Sequence, residues 1–222
     1  MEIRTAFHKK LREIQDDILA MGSMVSKAVL RSVEALKNRD LDLARQVITD
    51  DQKINHKRFE IEDKCIELIA TQQPMASDLR IIVAVLNIIS EVERIGDYAE
   101  GIAKIAIMIG DEPPLKPLID IPRMAEQTVD MLRRSLDAFV THDAETAKKI
   151  IGEDDTIDSL YDQVFRELLI FMAEDPKTIT RATRLIWVAH NLERSADRVT
   201  NICERVVFMV TGRMEEIGGS KY

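Results

Sequence analysis

Glycine is scarce in this sequence, 8 of 222 residues, and aromatic residues make up only 5%. Sheet proteins draw more heavily on turn glycines and aromatic strand residues, so the composition argues against a β-rich fold. There are two cysteines, Cys65 and Cys203, without CxxC spacing. They suit apolar helical positions, which predicts buried structural thiols and a reducing compartment. No run of about 18 apolar residues occurs, so no membrane insertion is expected. The opening Met1–Thr5 lacks the apolar stretch of a signal peptide. A cytoplasmic protein is expected. Basic charge is also in deficit: the net charge is −8, which disfavours nucleic acid as a partner. The sequence has no Gly-rich phosphate loop, no G-x-S-x-G and no HExxH. His8, His56, His142 and His190 form no ligand spacing. No catalytic constellation remains, and the expectation is a protein that is not an enzyme and carries no organic cofactor.

What the chain does have is helical periodicity. The first segment, about Thr5 to Lys37, carries Phe7, Leu11, Ile14, Ile18, Met21, Val25 and Ala28 in steps of four and three. That is the seam of a packed helix. Asp40 is placed to cap a second helix running to about Thr71. A third begins near Ser77, with Ser77 as its cap or with a start at Met75, and ends near Gly110. Residues 110–117 hold three of the six prolines and mark a boundary. A fourth helix is predicted from Pro122 to Thr141. A fifth, capped by Asp143, reaches Glu174. A sixth spans Thr178 to Thr211, with Gly212 as its stop. The fold class is therefore all-α: two tandem repeats of an up-down-up three-helix bundle, six long helices in all. The predicted domains are residues 1–110 and 118–213, with 214–222 a flexible tail. Helices of roughly 30 residues would be about 45 Å long, so an elongated molecule is expected.

The halves also share a motif. Glu93-Arg94-Ile95-Gly96-Asp97 and Glu193-Arg194-Ser195-Ala196-Asp197 lie 100 residues apart. A Glu and an Asp four apart project from one helix face. The third helix reads Leu79, Ile82, Leu86, Ile89, Glu93, Gly96 along its seam, and the sixth reads Ile179, Ala182, Ile186, Ala189, Glu193, Ala196. Both glutamates thus fall where an apolar group is expected, and Trp187 falls beside the seam as a packing residue. The second helix of each half has the same anomaly: Asp51 with Asn55, and Asp154 with Asp158. Carboxylates withdrawn from water repel one another unless something compensates. One solution is a metal ion held by oxygen ligands between facing helices: Asp51, Asn55, Glu93 and Asp97 in one half, and Asp154, Asp158, Glu193 and Asp197 in the other. Glu100 and Asp162 are further oxygen donors one turn on. The other is a solvated groove with ion pairs to Arg58, Arg94, Arg194 and Arg198. The corresponding functional alternatives are a carboxylate-bridged metal-binding enzyme and a metal-free helical scaffold.

At these residues the chain resembles the PhoU family. The resemblance rests on the two Glu-x-x-x-Asp motifs, on 51–55 and 154–158, on 73–80 before the third helix, and on Met21-Gly22-Ser23-Met24 in the first. It covers essentially the whole chain. It departs at Ser195-Ala196, where the family often has Ile-Gly, and Asn55 lacks the charge of Asp158. The resemblance implies a negative regulator of the phosphate regulon, active in phosphate homeostasis and signal transduction rather than catalysis. It implies two partners, the ATPase subunit of the phosphate ABC transporter and the regulon's sensor histidine kinase. It further implies a homodimer and iron or zinc at the carboxylate motifs.

Overall fold

The computed structural model describes residues 2–213, with side chains from residue 6 onward. The tail predicted at 214–222 lies outside the described residues. The elements are α1 (Glu2–Asn38), α2 (Leu41–Gln72), α3 (Ser77–Ile109), α4 (Asp120–Thr141), α5 (Ala144–Ile151), α6 (Asp154–Glu174), a 3-10 turn at Pro176–Thr178, and α7 (Ile179–Thr211). No strand occurs among the described residues. The fold is all-α, and the six expected helical segments are all present. The fifth is divided by a short turn at Gly152 and Glu153 into α5 and α6.

The helix boundaries follow from local chemistry. Arg39 takes a positive φ of 57°, and Asp40 then caps α2, its carboxylate accepting the Leu43 N–H at 2.9 Å. In the other half His142 (φ 57°) precedes Asp143, whose carboxylate accepts the Thr146 N–H at 3.0 Å. The two turns are the same device 103 residues apart, 142 less 39. Gly212, at φ 76°, stops α7 in the left-handed conformation that glycine tolerates best. Ser77 does not cap α3. The cap position is Ala76, at φ 49° and without a side-chain bond, and Ser77 is the first helical residue.

In each half three helical stretches pack up-down-up, the first and third parallel and the middle one antiparallel to both. Between halves, α3 lies against α7 and α1 against α4, so α1, α3, α7 and α4 form a closed ring of four. The second-position helices fill the outer grooves: α2 on α1 and α3, and α5 with α6 on α4 and α7. The halves therefore lie side by side along their helices instead of extending the molecule end to end. The α3–α7 pair is antiparallel. Near one end Gly212 meets the Arg80 guanidinium; near the other, Arg184 donates to the Met108 carbonyl at 2.6 Å. Between them Arg198 and Asn201 of α7 reach Glu91 of α3, at 3.4 and 3.1 Å. Arg181 and Arg39 hold the interhalf linker through the carbonyls of Pro113 and Asp111, at 2.6 and 3.3 Å.

The core corrects several of the seam assignments. On α2 the predicted line is buried at Ala44, Val47, Asp51, Ile54, Ile61, Cys65 and Leu68. On α3 the buried line runs Ile82, Val85, Ile88, Val92, Ile95, Ala99, Ile102 and Ala106, with Ile89, Gly96 and Ala103 beside it. Glu93 is thus off the core line, half-buried at its edge, and Leu79 is exposed. On α7 the core residues are Leu192, Ser195, Ala196 and Val199, and Glu193 again stands at the edge. Trp187 is half exposed, at 50%, and is not core packing. Three helices surround α3 and four surround α7, so their apolar stripe is two residues wide per turn. Cys65 and Cys203 are buried and unpaired, and burial pushes each thiol up to about 12.

Candidate functional site

The groove between α2 and α3 carries one acidic cluster, and the groove between α6 and α7 carries the other. Asp51 projects from the buried face of α2. It is 8% exposed and is the one buried charged residue among the described residues. Helix α3 approaches it closely at Gly96, where an added Cβ would stand 3.5 Å from Asp51 Oδ1 and 3.3 Å from Ile54 Cδ1. Asn55, one turn along α2, donates to Asp51 Oδ2 at 2.8 Å, while Oδ1 is buried without a hydrogen-bond partner. Burial, reinforced by the charges of Asp97, Glu100 and Glu93, pushes the Asp51 carboxyl up to about 6. Asp97, at the surface end, is also raised, by partial desolvation and by Glu93 and Glu100. An open polar cavity of about 380 Å³ lies over this end, lined by Arg58, Ser90, Glu93, Arg94, Asp97 and Tyr98.

The second cluster repeats the plan. Burial, then the charges of Asp158, Asp197, Glu193 and Asp155, push Asp154 up to about 7. Glu193 is pushed up to about 7 by burial, with Asp197 and Asp158 adding to it and Arg194 opposing. Asp154 Oδ1 is buried without a hydrogen bond. Glu193 Oε2 lacks one as well, although His190 Nδ1 stands 3.2 Å away. Ala196 occupies the place of Gly96 and is buried.

The structure thus brings the eight predicted residues into two groups of four, the seven acids coupled by charge and Asn55 joined to Asp51 by its hydrogen bond. Glu100 belongs electrostatically to the first group, and Asp162 is exposed and acts on Tyr161 instead. Among the described residues, no three His, Cys, Asp or Glu side chains are already arranged to hold a metal ion. The donor set still suits a hard or borderline cation. Three buried carboxylate oxygens have no hydrogen-bond partner, and like charges are pressed together around them. The arginines take only part of the charge. Arg58 crosses from α2 to Glu93 at 3.1 Å, and Arg194 pairs with Asp197 at 2.8 Å on its own helix. Arg198 turns away to Glu91. Ion pairs stand at the rim, at Arg58–Glu93 and Arg194–Asp197, above buried oxygens without hydrogen bonds.

Sequence reasoning passed over His190. Its signal was His190 three residues before Glu193 on one helix, the reverse of the Glu-x-x-His spacing of di-iron bundles. Tyr161 packs against His190 with ring centres 6.0 Å apart, and against Phe165 at 6.3 Å. Phe165, Leu169, Trp187 and Ile179 are all exposed along these two helices. An aromatic, apolar strip therefore continues from the second cluster along the α6–α7 groove.

Fold and site together define a duplicated three-helix bundle with an oxygen-rich cluster between the second and third helical elements of each repeat. A family model described as the PhoU domain matches residues 18–106 and again 121–206. The phosphate-specific transport system accessory protein PhoU homolog of Aquifex aeolicus is 40% identical over 93% of this chain and 93% of its own length. A crystal structure of PhoU from Pseudomonas aeruginosa superimposes with a TM-score of 0.88 at 36% identity, covering 93% of this chain and all of that one. A crystal structure of the phosphate transport system regulatory protein PhoU from Streptococcus pneumoniae gives 0.87 at 31% identity, covering 95% and 99%. The chain belongs to the PhoU family.

Proposed function

We propose that this protein regulates phosphate transport by binding other proteins, and that it does not act as an enzyme. The observation that carries the reading is full-length similarity to proteins named as accessory or regulatory components of phosphate transport. Its partners are the ATPase subunit of a phosphate ABC transporter and a sensor histidine kinase of the phosphate regulon. It holds the regulon's response down when phosphate is plentiful. No helix among the described residues is long and apolar enough to cross a membrane, which suits a cytoplasmic site of action. The exposed strip of Phe165, Leu169, Trp187 and Ile179 supplies the aromatic anchors that dominate protein interfaces. Deleting the gene in its own host should release the regulon in high phosphate. In a pull-down with the purified ATPase subunit or the kinase's cytoplasmic domain, Trp187→Ala with Phe165→Ala should weaken binding of at least one by about tenfold. A regulon that stays repressed, with no binding of either partner, would sink the reading in favour of a metal-free scaffold.

The carboxylate clusters hold a divalent metal, iron or zinc, in this proposal. Asp51, Asn55, Glu93 and Asp97 would hold it in the first half, and Asp154, Asp158, Glu193 and Asp197 in the second. A bound cation would cancel the repulsion among these groups and tie α2 to α3 and α6 to α7. Protein purified without chelator should carry metal, and Glu193→Gln with Asp197→Asn should remove the second half's share. Equal metal in wild type and variant after equal loading would count against the assignment.

A homodimer completes the proposal. Sedimentation at micromolar concentration should give about twice the chain mass, and monomer alone would refute it.

A further inference from the structure

We infer that Arg58, paired with Glu93 at the rim of the first cluster, competes with a metal ion for that carboxylate, so the two clusters differ in affinity and the second fills first. The inference rests on the reading that both clusters take a divalent cation. Asp40 and Asp143, Asp51 and Asp154, and Asn55 and Asp158 all stand 103 residues apart, and in that register Arg58 corresponds to Tyr161. One cluster thus has a permanent cation where the other has a neutral ring.

The geometry of Arg58 is that of a plug. It leaves α2 one turn beyond Asn55, crosses the groove and donates to Glu93 Oε1 at 3.1 Å. Its side chain is 26% exposed. Its guanidinium lies over the Phe59 ring, 5.1 Å from the centre, and its Nε is buried without an acceptor. In the second half Tyr161 lies tilted against His190, whose Nδ1 stands 3.2 Å from Glu193 Oε2 without a hydrogen bond to it. Two neighbouring differences act in the same direction. Lys104 pairs with Glu100 at 2.5 Å in the first half, where the second has Glu204 and Thr200. Asn55 is neutral where Asp158 is acidic. Arg194 acts in the opposite direction, pairing with Asp197 at 2.8 Å where the equivalent Arg94 acts on Asp97 through charge, but four ligand residues of the second cluster are acidic against three in the first.

A metal entering the first cluster must displace Arg58 from Glu93. The guanidinium has somewhere to go, since its other arm already reaches Glu62 on the same helix at 3.5 Å. The plug is therefore exchangeable, and the first cluster responds at a higher metal concentration than the second.

The test uses the full chain, stripped with chelator and titrated with zinc chloride at pH 7.5 by calorimetry, with zinc content measured after dialysis. Two classes of binding are expected, separated by about tenfold or more. Glu193→Gln with Asp197→Asn should remove the tighter class, and Asp51→Asn with Asp97→Asn the weaker. Arg58→Met keeps the apolar stem and removes the charge; it should tighten the weaker class by about tenfold. Tyr161→Arg should weaken the tighter class. Two equal classes, or a weaker class that Arg58→Met leaves unchanged or weakens in a protein of unaltered helicity, would overturn the inference and leave the metal reading standing. Absence of zinc from both clusters at millimolar concentration would overturn the metal reading itself, and this inference with it.

Discussion

In chelator-treated protein at pH 8, Asp154→Asn should be more stable than the wild type, with a thermal midpoint about 5 °C higher. The wild-type carboxyl is pushed from 3.8 to about 7, mainly by burial and then by Asp158, Asp197 and Glu193. A group raised in the folded state binds its proton more tightly there than in the unfolded chain. Its contribution to stability is complete below about pH 4 and is lost as pH climbs through about 7. Above that, the upper bound of the cost is roughly 4 kcal/mol; water at the rim and coupling to neighbours reduce it to about 2 kcal/mol. An asparagine has no charge to bury. The advantage of the variant should therefore shrink on acidification and vanish near pH 4. Comparing variant with wild type isolates this effect from Asp17 and Asp50, whose lowered values act in the opposite sense. Excess zinc at pH 8 should reverse the order, because ligand binding stabilises only the chain that binds it, by about 3 kcal/mol at a hundredfold excess over Kd. A variant equally destabilised at pH 4 and pH 8 in chelator would show that Asp154 is held by partners and not strained by its neighbours.

Gly22→Val should lower the thermal midpoint by about 8 °C, a loss of roughly 2–3 kcal/mol. Gly22 lies on α1 where it meets α4 of the other half, and a Cβ there would stand 2.2 Å from Leu136 Cδ1. Leu136 is itself buried, so its side chain has little room to yield and the helices must part. Helix propensity alone would favour almost any residue over glycine, which makes a loss diagnostic of the contact. Adding Leu136→Ala should recover stability relative to the sum of the single changes, with a coupling of about 1–2 kcal/mol. Wild-type stability in Gly22→Val would mean that the halves do not meet there.

Much of this was legible in the chain, for identifiable reasons. Asp40, Asp143 and Gly212 act through bonds and torsions within a few residues, so their roles can be read without the fold. The α2 seam was equally readable, since a helix packed in one groove buries a narrow line. The position of Glu93 was not. A seam counted in alternating threes and fours drifts on a helix of 33 residues, and three packing neighbours blur its edge further. The break at Gly152 was also hidden, because apolar residues keep their period on both sides of it. The eight acidic and amide positions were found because they repeat. Arg58 and His190 were harder to place, since their meaning depends on the helix they face.

The antiparallel α3–α7 contact also bears on synthesis. Everything needed to close the first bundle, α1 to α3, precedes the proline-rich linker, so that half is able to assemble while the ribosome is still making the rest. Helix α7 is the last long element to emerge, and until it does the α3 face it will cover stays wet. Because the two halves meet through like surfaces, head against tail, the nascent first half presents to a neighbouring nascent chain much the same contact it is waiting to make with its own second half.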